Sequence, residues 1–306
     1  MTVAGRVSVI IPSRNERFLA PTVRDVLAKA QGDLEVIVVL DGYWAHDLPT
    51  DPRVKILHRG TALGMRPAIN AAAQMATGEY FLKADGHTMW ADGFDLQLKA
   101  DYHETNWILI PRRYALEPDA WVIDPSNKKY PIDAHYLAEP FHAYGDSTPG
   151  LHGTAWGARK LARQHVELDD ELTSQGSGWF MARAHWDRLG PLEIARYGVF
   201  WHEFQELGFK TWLSGGAVKV TKRTWYAHLY KGKRYGRGYN TRGMGHEAGT
   251  AFCSWFWMTD QPFRGRCRTL RSLIEQFAPV PTWPEDLEAI FDRARRELRD
   301  PYAVAA

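Results

Sequence analysis

Cysteine is almost missing from this chain: Cys253 and Cys267 are the two among 306 residues. Two cysteines without tight spacing build neither a disulfide framework nor a zinc knuckle, so free thiols are expected. Long apolar runs are missing as well. Ala251 to Met258 is apolar but far short of the roughly 18 residues that a membrane-spanning helix needs. Met1 to Arg6 hold no apolar stretch of the kind found in secretion signals, which sets the expected location as the cytoplasm. A strong charge of either sign is also lacking. The net charge is +2, which excludes a polycation built to bind nucleic acid along its whole length but leaves local clusters open. No internal repeat or low-complexity tract interrupts the chain.

What remains is the composition of an ordinary globular protein, 45% hydrophobic and 24% charged, long enough to bury a sizeable core. Thirteen tryptophans stand out. Aromatic faces stack on sugars and on bases, and they also fill cores.

The first third of the chain alternates between two periodicities. Val7 to Ile11, Leu34 to Leu40, Val54 to Leu57 and Tyr80 to Ala84 read as strands, the second almost wholly β-branched and apolar. Ala20 to Ala30 and Met65 to Met75 read as helices, with Pro67 tolerable in the first turn of the latter. Such alternation predicts βαβ units and a mostly parallel sheet. Trp107 to Ile110 adds a strand, and Tyr114 to Gly150 reads as a long excursion across the sheet mouth. Further on, Ala184 to Leu189 and Phe200 to Leu207 read as helices, the latter ended by Gly208, and Ala217 to Thr221 as a strand. Pro284 to Arg299 is an amphipathic helix with Leu287, Ile290, Phe291, Ala294 and Leu298 on one side.

In open α/β sheets ligands bind beyond the carboxyl ends of strands. Ser13-Arg14-Asn15-Glu16, Asp41 and Asp85-Gly86-His87 all fall at such ends. Asp85 and His87 sit at i and i+2 of an extended segment, so their side chains point the same way. One carboxylate and one imidazole suit Mn²⁺ or a similar divalent cation that also holds phosphate oxygens. An Asp-Gly-His turn on the surface would show the same pattern. Asp41-Gly42 is equally a favoured turn pair. Arg66 and Asn70 share a helix face, from which Arg66 either reaches a nucleotide or lies in solvent. Asp95 and Asp101 read as surface carboxylates.

The wider pattern resembles the nucleotide-sugar glycosyltransferases of the GT-A fold. It is carried by Val9 to Glu16, by Asp41-Gly42, and by Asn70 to His87 with Gly78-Glu79-Tyr80-Phe81-Leu82 before Asp85. Asp-x-His in place of Asp-x-Asp is similar to the polypeptide N-acetylgalactosaminyltransferases. Gly178 to Met181, Leu189 to Leu192, Glu203 to Trp212 and Trp225 to Lys231 resemble further segments of that family, in the same order. The likeness spans roughly residues 7–235 and is weakest over 114–170. Trp201-His202 stand where that family has two glycines, and Phe204 stands where many related inverting enzymes carry an Asp. No lectin domain is expected after residue 240.

The resemblance implies a GT-A, Rossmann-like α/β fold: a mixed, mostly parallel sheet with flanking helices. Residues 1–240 would form the transferase domain, with 1–112 binding the nucleotide sugar and 113–240 the acceptor. Residues 241–306 would add a helical extension. It implies that Asp85, His87 and His228 hold Mn²⁺ or Mg²⁺. Pro12, Ser13, Arg14, Glu16, Asp41, Arg66, Asp85 and Gly86 would bind a UDP-sugar, with Lys231, Lys233 and Arg234 near its diphosphate. Asp85 and Glu203 are the candidate catalytic carboxylates. A base near the acceptor hydroxyl would serve inversion, while Phe204 in place of Asp points towards retention. His142, His152 and His202 are candidates for the acceptor side.

The acceptor stays open. The basic stretch 231–242, with Tyr235 and Tyr239, reads either as a lid over the diphosphate or as a nucleic-acid surface, joined by Arg264, Arg266, Arg268 and Arg271. Hydroxymethylated DNA is one acceptor that would use it, a glycan or protein hydroxyl another. A non-catalytic nucleotide-sugar-binding protein on the same fold is the rival from another class. A nucleotidyltransferase is disfavoured because the first twenty residues hold no glycine-rich phosphate loop.

Overall fold

The computed structural model describes residues 2–126, 131–143, 148–240 and 245–303, apart from the side chain of Lys233. The chain opens with β1 (Val3–Ser13), α1 (Leu19–Lys29), β2 (Leu34–Asp41), β3 (Val54–Arg59), α2 (Met65–Met75), β4 (Gly78–Ala84), β5 (Thr88–Trp90), α3 (Phe94–Asp101) and β6 (Trp107–Glu117). Short pieces follow: β7 (Val122–Ile123), β8 (His135–Leu137), β9 (Gly153–Ala155), α4 (Gly157–Ala162) and β10 (Leu168–Asp170). The remainder is β11 (Gly178–Ala182), α5 (Arg183–Leu189), α6 (Glu203–Leu213), β12 (Ala217–His228), α7 (Gly232–Tyr235), α8 (His246–Met258), α9 (Leu270–Phe277) and α10 (Leu287–Glu297).

The main sheet runs β10-β12-β6-β11-β4-β1-β2-β3. β1 pairs in parallel with β2 and β4, β2 with β3, and β6 with β12, while β11 lies antiparallel between β4 and β6. This is the mixed, mostly parallel α/β sheet expected from the sequence. Both faces are covered. Along β1, Val7, Val9 and Ile11 join the core shared with α1 and α3, whereas Ile10 joins the core under α2, α6, α8, α9 and α10. Strands buried on both faces are largely apolar, which is why β1 and β2 read as apolar runs, broken by Ser8 and Glu35. No helix among the described residues is long and apolar enough to cross a membrane.

Several expectations need correction. Gly208 does not end α6, which continues to Leu213; a Cβ at Gly208 would lie 3.3 Å from the Phe204 ring, so the small residue serves close packing inside the helix. The strand read as ending at Thr221 runs on to His228. Asp95 and Asp101 are buried, not surface carboxylates. Asp95 accepts the Gln31 and Gly32 N–H groups, and Asp101 pairs with Arg223 at 2.9 Å. The stretch 114–150 contributes the end of β6 and the β8 edge rather than one loop, with 127–130 and 144–147 outside the described residues.

Glu35 on β2 is 2% exposed and accepts from Ser8 Oγ at 2.6 Å, Thr77 N at 2.5 Å and Lys55 Nζ at 2.5 Å. Burial alone would raise its pKa, but these donors outweigh burial and bring it to about 2 from the usual 4.5. A carboxyl lowered on folding stabilises the fold fully above its unfolded pKa, and that contribution disappears as the pH drops through the folded value. The expected contribution is about 3 kcal/mol, lost between pH 4.5 and 2. Urea unfolding of Glu35→Gln should therefore show lower stability at pH 7 and a flatter acid limb; a limb parallel to wild type would contradict this.

Candidate functional site

The carboxyl ends of β1, β2 and β4, the start of α6 and the end of β12 surround one cavity of about 760 Å³. On its β1–β2 side it is lined by Pro12, Ser13, Arg14, Asp41, Gly64 and Met65. Ser13 Oγ shares a short hydrogen bond with the Tyr43 hydroxyl. Arg14 lies 5.1 Å over the Tyr239 ring. Asp41 accepts the backbone N–H groups of Leu63 at 2.9 Å and Gly64 at 2.7 Å, and pairs with Arg59 at 3.4 Å. Its carboxylate thus holds the turn into α2. Gly64 has φ +103°, and a Cβ there would lie 2.5 Å from Val199, so this turn requires glycine.

Asp85, His87 and His228 meet at the centre. Candidate ligand atoms from all of them lie within 4.8 Å of one another. The cause is strand pairing: β5 returns antiparallel onto β12, placing His228 opposite Thr88, and the Leu229 N–H donates to the His87 carbonyl at 3.1 Å. Gly86 is pressed against Glu16, where a Cβ would lie 3.1 Å from Cγ. His228 Nε2 lies 3.1 Å and His87 Nε2 3.8 Å from Asp85 Oδ2. Glu16 holds His87 Nδ1 at 3.0 Å, turning Nε2 inward as a second carboxylate does behind many metal-bound histidines. Glu16 also pairs with Lys231. Burial would raise the Glu16 pKa, but His87 and Lys231 lower it on balance. Burial pushes His228 down to about 4 against the opposing pull of Asp85, so near neutral pH its imidazole is uncharged and able to donate a lone pair.

Lys83, which sequence reading passed over, ties this centre to α6. It is 1% exposed. Its Nζ donates to Asp85 Oδ1 at 2.6 Å and the Gly176 carbonyl at 2.7 Å, with Glu203 Oε2 at 3.5 Å. Despite the burial penalty, the two carboxylates raise its pKa, and it stays a cation. Lys83 and Asp85 stand at i and i+2 of one strand, so they share a face. A single Lys in the apolar run Tyr80–Ala84 was the available signal. Glu203, first residue of α6, is buried and accepts from Trp179 Nε1 at 2.6 Å. Burial raises its pKa more than Lys83 and Trp179 lower it.

Beyond Glu203 the wall is formed by His152, Gly153, His202 and Gln205, with Arg113, Gln175 and Ser177 beneath. The His152 and His202 rings stack at 5.2 Å. His142 is not among the lining residues. Lys231, Gly232, Gly236, Arg237 and Tyr239 close the mouth, and Asn15 Nδ2 donates to the Gly238 carbonyl at 2.9 Å. Arg234 turns away to Asp119 at 2.8 Å and does not line the cavity. The side chain of Lys233 and the whole of Arg242 lie outside the described residues. In the second basic cluster Arg266 pairs with Asp260, and Arg271 with Glu275 and Glu288.

Arg66 is the clearest correction. It is fully buried behind the wall, pairs with Glu206, and donates to the Glu193 carbonyl at 2.9 Å and the Trp201 carbonyl at 2.8 Å. It has no opening towards a nucleotide.

The polypeptide N-acetylgalactosaminyltransferase 5 of Caenorhabditis elegans is 24% identical over 244 residues, covering 74% of this chain and 37% of that protein. Among solved structures, GalNAc-T7 with UDP, GalNAc and Mn²⁺ matches with a TM-score of 0.61 at 15% identity, covering 80% of this chain and 47% of that one. S. aureus TarS 1-349 in complex with UDP-GlcNAc matches with a TM-score of 0.49 at 16% identity, covering 94% of this chain and 70% of that one. The chain thus spans less than half the length of the nematode enzyme and of GalNAc-T7. The family model described as glycosyl transferase family 2 matches residues 8–166, more than half of the sequence, and the chain belongs to that family.

Proposed function

We propose that this protein transfers a hexose or N-acetylhexosamine from a UDP-sugar to an acceptor hydroxyl. The observation that carries the reading is the convergence of Asp85, His87 and His228 at the floor of a cavity bounded by the β1 and β2 ends. One carboxylate oxygen and two imidazole nitrogens fit Mn²⁺ better than Mg²⁺, which favours an all-oxygen shell. A divalent cation held there would neutralise charge on the departing diphosphate. GalNAc-T7, which shares the fold, is a complex with UDP, GalNAc and Mn²⁺, in keeping with the same ligands here.

Each side of the cavity then has a task. Pro12, Ser13, Arg14 and the turn held by Asp41 receive the uridine. Gly86 leaves room for Glu16 behind His87, and Lys231, paired with Glu16, brings a cation to the diphosphate end. Glu203, fixed by Trp179 and Lys83, faces the sugar end. The next residue, Phe204, is apolar and buried, so no carboxylate stands at the position where many related inverting enzymes carry an Asp. With Phe204 at that position we assign Glu203 to steadying the sugar in the transition state, and the outcome to retention. The anomeric proton coupling of the product decides between the two outcomes. The second basic cluster spends part of its charge on internal pairs, so it adds no support for a DNA acceptor.

The test is acceptor-free hydrolysis of a panel of UDP-hexoses with Mn²⁺. Slow release of UDP, with Mn²⁺ exceeding Mg²⁺, is expected. His228→Ala should lower that rate by about 100-fold or more. Saturable UDP binding with no turnover on any donor would favour the non-catalytic rival. No UDP binding in the presence of Mn²⁺ would end the proposal.

A further inference from the structure

Arginines 112 and 113 are neighbours on β6 with opposite fates. The side chains of successive strand residues point to opposite faces. Arg112 is neutralised by Asp133, with contacts of 2.8 and 2.7 Å to the two carboxylate oxygens. Arg113 is 6% exposed, lines the cavity, and forms no ion pair among the described residues. Its partners are all uncharged or weak: Gln175 Oε1 at 2.8 Å, Ser177 Oγ at 3.5 Å and His135 Nε2 at 3.3 Å.

The histidine contact defines a tautomer. A guanidinium only donates, so His135 Nε2 accepts, and its Nδ1–H donates to Glu171 Oε1 at 2.8 Å. Glu171 also accepts the His135 backbone N–H at 2.5 Å. Burial and then the Arg113 charge keep His135 well below its usual pKa, hence neutral, and burial carries Glu171 well above the usual carboxylate range. The chain Glu171–His135–Arg113 therefore orients the guanidinium without cancelling its charge. A buried cation lacking a counter-ion is unfavourable, and a ligand anion would relieve that penalty.

Topology says which ligand. β6 is separated from β1 by β11 and β4, on the opposite side of the cavity from β2 and Asp41. Gln175 to Ser177 stand between Arg113 and the Asp85–Lys83 pair, since the Asp85 N–H donates to the Ser177 carbonyl at 3.1 Å and Lys83 to the Gly176 carbonyl. Arg113 thus stands on the strand between β12, which carries His228, and β11, screened from Asp85 by residues 175–177 and away from the β1 and β2 ends assigned to the uridine. We infer that Arg113, aimed by His135 and framed by Gln175 and Ser177, is a binding site for an anionic group, phosphate or carboxylate, on the acceptor. This deepens the transferase reading and rests on it for the word acceptor.

Titration calorimetry tests it, with inorganic phosphate and acetate as probes, on protein saturated with Mn²⁺ and UDP so that the diphosphate positions are filled. Saturable binding of at least one probe is expected, weakened about tenfold or more in Arg113→Gln and partly kept in Arg113→Lys, with UDP affinity unchanged within about twofold. The probe that binds tells phosphate from carboxylate. Absence of binding by both, or affinity unaltered in Arg113→Gln, overturns the inference. Equal loss of UDP affinity in that variant overturns it too, because Arg113 would then serve the donor. If wild-type protein takes up no UDP, the transferase reading fails separately, and titration with Mn²⁺ alone still reports on the Arg113 anion site. Should Arg113→Gln not fold, Gln175→Ala, which removes one edge of the frame, must weaken the probe for the inference to stand.

Discussion

Asp85→Asn is expected to abolish most turnover and to loosen the fold, by two separable causes. An amide oxygen in place of a carboxylate removes the one anionic donor from a site otherwise made of imidazoles. Loss of the interactions that offset charge at a departing group costs on the order of 10³-fold in rate. The second cause is Lys83. Its Nζ is buried, and Asp85 Oδ1 at 2.6 Å is its nearest carboxylate partner, with Glu203 at 3.5 Å. Removing one member of a buried pair costs about 3 kcal/mol or more, because the remaining charge is left in a poor solvent. His87→Ala separates the causes. It removes an imidazole but keeps the Lys83–Asp85 pair, so it should weaken Mn²⁺ binding while leaving metal-free stability much closer to wild type. Mn²⁺ titration and urea unfolding on both variants measure the two effects independently. Turnover of Asp85→Asn within tenfold of wild type would remove Asp85 from the mechanism.

The architecture was legible where burial on both faces forced a simple pattern. β2 is apolar at nearly every position because α/β packing covers both sides of it. Helix α2 was read to the residue from its spacing. β12 was not, and the reason lies in its register. Lys222, Arg223 and Thr224 break the apolar run, and the pairing with β6 shifts between Thr221 and Trp225 before resuming. A polar interruption looks like the end of a strand, yet here it is an irregularity after which the strand carries His228 to the site.

Within the site, motif order along the chain was enough to nominate Asp85, His87 and His228, which the fold brings together. Charged residues whose partners come from far along the chain were misread or missed. Lys83 reads as one polar residue in an apolar strand, and Arg113 falls beyond the strand read to Ile110, until the facing segment 175–177 is placed against them. The same limit explains Glu16. At a strand end it reads as a nucleotide contact, but its oxygens are engaged by His87 and by Lys231, 215 residues further on.

Arg66 shows how far such a misreading can travel, and it sets the second large effect. From sequence it is a helix-surface cation beside a phosphate-bearing cavity. In the fold it joins α2 to the segment before α6: Glu206 neutralises it, the Glu193 and Trp201 carbonyls accept from it, and the Tyr197 ring lies 4.6 Å from its guanidinium carbon. Arg66→Met keeps much of the volume and deletes every one of these donors. Glu206 would retain Lys210 at 2.6 Å and the Glu193 N–H at 3.1 Å, which limits but does not cancel the penalty. A loss of about 3–5 kcal/mol in unfolding free energy is expected. The double variant Arg66→Met with Glu206→Leu should recover part of it, since no carboxylate is then stranded in the core, although Lys210 loses its partner. The affinity of the folded fraction for UDP in Mn²⁺ should stay within about twofold of wild type, because Arg66 makes no approach to the cavity. Unchanged stability combined with a large loss of UDP affinity would reverse this assignment and return Arg66 to the nucleotide.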